Sequence, residues 1–199
     1  MQIHSLFSIP VIQLEFSKHL EYSFSDFPKK NKIPNGWECS VYSSWPNIRP
    51  DDEFIDYNVV ESLKNDLKKE INYAFYDLKI PTKWYFSDFW YNYYYDNQGQ
   101  EEHDHIPGVG YPLYYWSGIY FHTMNNTRVT NFSNPLPLYS THQYPGCREG
   151  KISDSHFKYW TPNIKDGDII LFPPYLKHTV PPSGNSEKIR FTFSFNLSL

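Results

Sequence analysis

The sequence predicts a mainly β protein, with short strands in a closed or double-sheet arrangement and one long packing helix. Three observations carry this. Rings are abundant: 18 Tyr, 15 Phe and 6 Trp bring the aromatic share to 20% of 199 residues, and aromatic side chains suit a pleated, half-buried sheet surface. Turn-forming Pro is frequent, at 16 residues. From residue 84 onward the apolar positions follow period two, in short runs separated by Gly and Pro. The rings also supply the apolar area that ordering requires, which excludes a disordered chain.

The elements follow in order. Leu6 to Phe16 is apolar and partly alternating and reads as an entering strand, with Pro10 placing it near an edge or bulge. Residues 17–55 are punctuated by Pro28, Pro34, Gly36, Pro46 and Pro50 and read mostly as loop, with a short strand around Glu38–Tyr42. One helix spans 59–79. Val60, Leu63, Leu67, Ile71, Phe75 and Leu78 recur at spacings of three and four, which is a single stripe. Asn58 is the expected cap, Glu61 sits at the capping-box position and Pro81 ends the helix. Lys64, Asp66, Lys68, Lys69 and Glu70 are expected on a solvated face. Strands are expected at Trp84–Tyr95, Tyr114–His122, Asp168–Phe172 and Ile189–Leu197. The length suits a single domain over 1–199. Within it, residues 1–83 form a strand-and-helix support and residues 84–199 the β core.

Composition narrows the function. The formal net charge of −4 argues against a nucleic-acid partner. Cys39 and Cys147 are the only cysteines; they form neither a CxxC site nor a disulfide framework, so a reducing compartment is expected. The N-terminus has no basic and apolar signal pattern, and no stretch approaches the roughly 18 apolar residues of a membrane span. A soluble, cytoplasmic protein with no membrane partner is the expectation.

Three segments carry residue types that do chemistry. The first is His103-Asp104-His105. On an extended segment, residues two apart point to one face, with Cα atoms about 6.5 Å apart. Two imidazoles so placed can converge on one metal ion while Asp104 points away; a chance surface pair is the competing reading. The second is Gly167 to His178, a buried strand broken at Pro173-Pro174 and followed by a His in a rigid frame completed by Pro181-Pro182. Such a frame holds an imidazole in one orientation, as a metal ligand needs. The third is Ile189 to Leu197. Ile189, Phe191, Phe193, Phe195 and Leu197 form one face; Arg190, Thr192, Ser194 and Asn196 form the other. In an ordinary sandwich the second face meets solvent. In a barrel with a ligand cavity it lines the pocket, where a guanidinium fork and a hydroxyl two residues on suit a carboxylate.

The order of these pieces resembles the iron(II)/2-oxoglutarate-dependent dioxygenases, and most closely the small 2OG-Fe(II) oxygenases of bacteria and marine phages. The resemblance covers residues 84–197, with Phe7–Val11 similar to the family's opening strand. It rests on Trp90-Tyr-Asn92, Gln100-Glu-Glu-His-Asp-His105, Ser117-Gly-Ile-Tyr120, Phe172 to His178, and the closing strand with Arg190, Thr192 and Asn196.

The resemblance implies a double-stranded β-helix, a cupin-like jelly roll, with 84–199 as its catalytic core. It implies Fe(II), the cosubstrate 2-oxoglutarate and O2, with hydroxylation of a small-molecule or peptidyl substrate and release of succinate and CO2. It implies His103 and His178 as metal ligands and Arg190 with Thr192 as the grip on the far carboxylate of 2-oxoglutarate. Ser117 and a residue of Asn92–Tyr94, Asn92 foremost, would line the same pocket. The departure is His105, which stands where the usual two-His, one-carboxylate site has its acid. Three readings stay open. His105 ligates, giving a neutral three-His site that could also hold zinc; a bulge swings Asp104 inward; or the third position is left open, as in halogenases of the superfamily. Tyr139, Tyr144, His156, Tyr159 and Trp160 of the 131–163 stretch either stack on a substrate or pack on the barrel; His142 in the same stretch and His122 after the Ser117 strand are given no role. Two other functions compete. One is a metal-binding cupin-like enzyme without 2-oxoglutarate, which would leave Arg190 without a role. The other is a non-catalytic lectin-like or structural jelly-roll module.

Overall fold

Two antiparallel sheets face each other in the computed structural model, which describes residues 9–24, 41–95, 98–108, 113–124, 130–135, 158–182 and 189–199. The strands are β1 (Ile12–Glu15), β2 (Tyr42–Ser43), β3 (Tyr85–Tyr94), β4 (Gln100–His103), β5 (Trp116–Thr123), β6 (Asn131–Ser133), β7 (Tyr159–Trp160), β8 (Asp168–Phe172), β9 (His178–Val180) and β10 (Arg190–Ser198); the helix α1 is Tyr57–Asp77. The major sheet has the order β1-β8-β5-β10-β3-β2 and the minor sheet β4-β9-β6-β7. This is the jelly roll expected from the sequence.

The central strand β10 explains the architecture. Every residue from Arg190 to Ser198 is buried, so neither face meets solvent. Its apolar face, Phe191, Phe193, Phe195 and Leu197, joins Phe89, Tyr91 and Tyr93 of β3 and the α1 stripe Val60, Leu63, Leu67, Ile71 and Phe75 in one core. Its polar face looks the other way, into the space between the sheets. Gly118 of β5 makes the apolar face possible: a Cβ there would lie 2.2 Å from the Phe195 ring.

The helix differs from expectation at both ends. Asp56, not Asn58, is the cap, and its carboxylate accepts from the Asn58 N–H. Glu61 pairs with Lys64 rather than closing a capping box. The last turn stops at Leu78 and Lys79, whose φ of 58° leaves helical space before Pro81 is reached. Asp66 corrects the solvated-face expectation. It is only 8% exposed and bonds Lys69, Lys18 and Tyr22, tying the chain after β1 to the helix. The segment holding His178, expected as a turn, is the short strand β9, because it pairs with β4 and β6. The predicted segments Leu6–Ser8 and Glu38–Ser40 lie outside the described residues, as do Cys39, Cys147, Tyr139, Tyr144, His142 and His156. Among the described residues, no helix is long and apolar enough to cross a membrane.

Candidate metal centre

Sheet pairing brings distant histidines together. His103 ends β4 and stands directly opposite His178 of β9 in the antiparallel register. Opposed residues on paired strands share a face, so both rings enter the space between the sheets. A register shift separates Gln100 from His103. His105 lies just past β4, held by its N–H donating to the Pro174 carbonyl at 2.8 Å. The ring centroids are 4.2 Å apart for His103 and His178, 5.0 Å for His105 and His178, and 5.5 Å for His103 and His105. One nitrogen from each ring falls within 4.8 Å of the other two. Asp104 is outside this group: its carboxylate accepts from the Ile106 N–H at 3.1 Å.

Hydrogen bonds settle which nitrogen each ring offers. His103 Nδ1 lies 2.9 Å from the Glu101 carbonyl and His178 Nδ1 3.1 Å from the Leu176 carbonyl. His105 Nδ1 lies 2.8 Å from Asn196 Oδ1. Carbonyl oxygens only accept, so each Nδ1 carries the proton and each Nε2 keeps its lone pair. Asn196 is itself oriented, since its Oδ1 also accepts from Ser117 Oγ and its Nδ2 donates to Asp88. Burial lowers the basicity of all three rings, with mutual repulsion adding to it at His105 and His178. His105 falls to about 3, His103 is lowered, and His178 lies well below the ordinary value. Three neutral imidazoles with ring nitrogens clustered within 4.8 Å and with each Nδ1 anchored on a carbonyl fit a divalent cation.

Arg190 occupies the same interior. It is 1% exposed, donates from Nη2 to Thr130 Oγ1 at 2.9 Å, and lies 5.0 Å from the Tyr94 ring and 5.6 Å from the Phe121 ring. Its charge is among the influences that lower His178. Thr192 and Asn92 are register partners one step nearer the histidines, and Asn92 Nδ2 donates to Ser194 Oγ. Ser117 reaches the pocket through Asn196. Phe132 and Phe172 pack against the His178 ring, and Trp90 against His105. Beyond Phe132 lies an apolar cleft of about 440 Å3, lined by Ile9, Val11, Trp160 and Leu176 among others. His122 sits elsewhere, on the helix-facing side of β5 beside His19, with its Nε2 on the Tyr22 carbonyl.

Sequence reasoning placed no role on Asn196, Thr130 or Trp90. Asn196 and Trp90 carried a signal, since each alternates in phase with a suspected site residue. Thr130 carried none: it meets Arg190 only through the fold.

Fold and pocket together define a jelly-roll protein with a histidine cluster and a buried guanidinium between its sheets. Residues 88–196 match the family model described as "Putative 2OG-Fe(II) oxygenase". The chain belongs to that family. It is a 2-oxoglutarate/Fe(II)-dependent oxygenase, and its cofactors are Fe(II), 2-oxoglutarate and O2. No curated protein matches it by sequence. Solved structures share the fold. HygX from Streptomyces hygroscopicus, with nickel and 2-oxoglutarate bound, is 10% identical with a TM-score of 0.55, covering 96% of this chain and 83% of that one. A 2OG-Fe(II) oxygenase family oxidoreductase from Burkholderia pseudomallei is 9% identical at 0.54, over 80% of this chain and 66% of that one. A Pseudomonas putida prolyl-4-hydroxylase is 11% identical at 0.50, over 96% and 93%.

Proposed function

We propose that His103, His105 and His178 hold the Fe(II), that Arg190 and Thr192 bind the far carboxylate of 2-oxoglutarate, and that the enzyme hydroxylates a small-molecule or peptidyl substrate with release of succinate and CO2. The observation that supports the metal site is the arrangement of the rings: each Nδ1 lies within hydrogen-bond distance of a carbonyl oxygen, and one nitrogen of each ring falls within 4.8 Å of the other two. The group held there supplies O2 activation and oxidative decarboxylation of the cosubstrate.

The chain's own residues bind and orient. Asn196, itself held by Asp88, keeps the His105 ring in register with the other two. Ser117 supports the same amide. Arg190, desolvated between Tyr94 and Phe121, offers a fork that a carboxylate satisfies at both oxygens. Thr130 fixes one end of that fork, so the guanidinium is aimed before the cosubstrate arrives. Phe132 and Phe172 wall the His178 side against water.

The test is an anaerobic titration of the iron-loaded protein with 2-oxoglutarate, followed by its visible charge-transfer band. A saturable band is expected. Metal binding without any response to 2-oxoglutarate would favour the cupin-like reading, and neither response would favour a non-catalytic module. His178→Ala should abolish iron binding, and wild-type iron content in that variant would remove its assigned role.

A further inference from the structure

The indole of Trp90 is 3% exposed, and its Nε1–H finds no acceptor among the described residues. An unmatched buried donor is destabilising, so it marks a place where a bound group is expected to supply the acceptor. Its position says which group. On β3, Trp90, Asn92 and Tyr94 pair with Ser194, Thr192 and Arg190 of β10, making a ladder of three rungs on the interior face. Arg190 stands at one end. Trp90 stands at the other, with its ring centroid 5.7 Å from that of His105. Trp45 packs edge-on against it, at 4.5 Å and 87°, which limits how far the indole can turn.

We propose that Trp90 is a positioning residue for the cosubstrate: its Nε1–H donates to the C1 carboxylate of 2-oxoglutarate, at the metal end of the pocket. This rests on the reading of the site given above. 2-Oxoglutarate carries only acceptors, two carboxylates and a keto oxygen, so a bare N–H is the complementary group. Arg190 fixes the C5 end and Trp90 the C1 end, so the molecule is held in one direction along the ladder.

Asn92 agrees with this arrangement. Its Oδ1 is also buried without a partner among the described residues, and an acceptor facing an anion is a mismatch. Exchanging the amide oxygen and nitrogen removes it. Ser194 Oγ–H then donates to Oδ1, and the Asn92 NH2 turns to the cosubstrate beside the indole.

The experiment compares wild type with Trp90→Phe, iron-loaded and anaerobic, using 2-oxoglutarate and succinate as probes. Succinate lacks the C1 carboxylate. Trp90→Phe should keep its iron, bind 2-oxoglutarate about 10-fold more weakly, shift the charge-transfer band, and bind succinate as wild type does. Unchanged 2-oxoglutarate affinity and band position, or an equal loss for succinate, would overturn the proposal. If wild type itself gives no band, the functional reading falls and this proposal with it; if wild type responds and Trp90→Phe responds identically, only the role of Trp90 falls. Should the variant not fold, 15N-indole spectra of the wild-type protein loaded with Zn(II) serve instead. The Nε1–H resonance with contacts to His105 should move downfield on adding 2-oxoglutarate, and a stationary resonance would end the proposal.

Discussion

Asn196 is the residue on which most of the pocket converges. One carbonyl oxygen receives His105 and Ser117, and the amide nitrogen is anchored on Asp88. Removing the acceptor frees the His105 ring to rotate and to exchange its tautomer. Asn196→Ala should therefore weaken iron binding by roughly 10- to 100-fold, measured by competition with a chromogenic chelator; affinity equal to wild type would mean that His105 is oriented by other contacts or does not ligate. Arg190→Ala belongs to the same scale and should act oppositely, weakening 2-oxoglutarate while sparing metal. Isothermal titration with the cosubstrate reads this directly, and an unchanged affinity would remove the cosubstrate role from Arg190.

Helix and strand carry stability rather than chemistry. Gly118 sits under the Phe195 ring, and a methyl there cannot be accommodated without moving β5 away from β10. Gly118→Ala is expected to cost about 1–3 kcal/mol or more by overpacking, seen as a lower denaturant midpoint at constant slope. Asp66 ties α1 to the chain after β1. Lys69 foremost, then Lys18 and Tyr22, hold its carboxyl down to about 2 from an ordinary 3.8, against the opposing effect of burial. A group with a depressed folded pKa stabilises the fold above its unfolded value and loses that contribution as pH falls toward the folded one. The Lys69 side chain is 67% and that of Lys18 42% exposed, so solvent screens much of the interaction. Asp66→Asn should lower stability by about 1 kcal/mol at neutral pH, and the difference should vanish between pH 4 and pH 2. A difference that persists at pH 2 would place the effect in packing instead of charge.

At the scale of the whole molecule, the pocket has an unusual charge balance. With His103, His105 and His178 as the proposed ligands, no ligand carboxylate among the described residues would compensate the divalent cation, and Arg190 adds a further positive charge nearby. A dianionic cosubstrate restores the balance. Metal and 2-oxoglutarate should therefore strengthen each other's binding, and by linkage the factor must be the same in both directions. The expected coupling is about 1–3 kcal/mol, read as a tighter iron dissociation constant with saturating 2-oxoglutarate. Independent binding of the two would indicate that a charged group lies in the coordination shell after all.

Much of this was legible in the chain itself. Alternation along Ile189–Leu197 exposed two faces because a strand's side chains point alternately, and the three- and four-residue spacing from Val60 to Leu78 exposed the α1 stripe because a helix turns every 3.6 residues. Both periodicities are local, so the residues alone determined them, and the order His103, His105, His178 and Arg190 marked the family. What the residues could not determine depends on who faces whom. That the polar face of β10 lines a pocket instead of meeting solvent follows from the minor sheet lying over it. That His178 belongs to a strand opposite His103, that Asn196 sets the tautomer of His105, and that Asp66 is buried all follow from partners far away in the chain. Pairing register and sheet stacking are long-range contacts, and only the folded structure chooses among them.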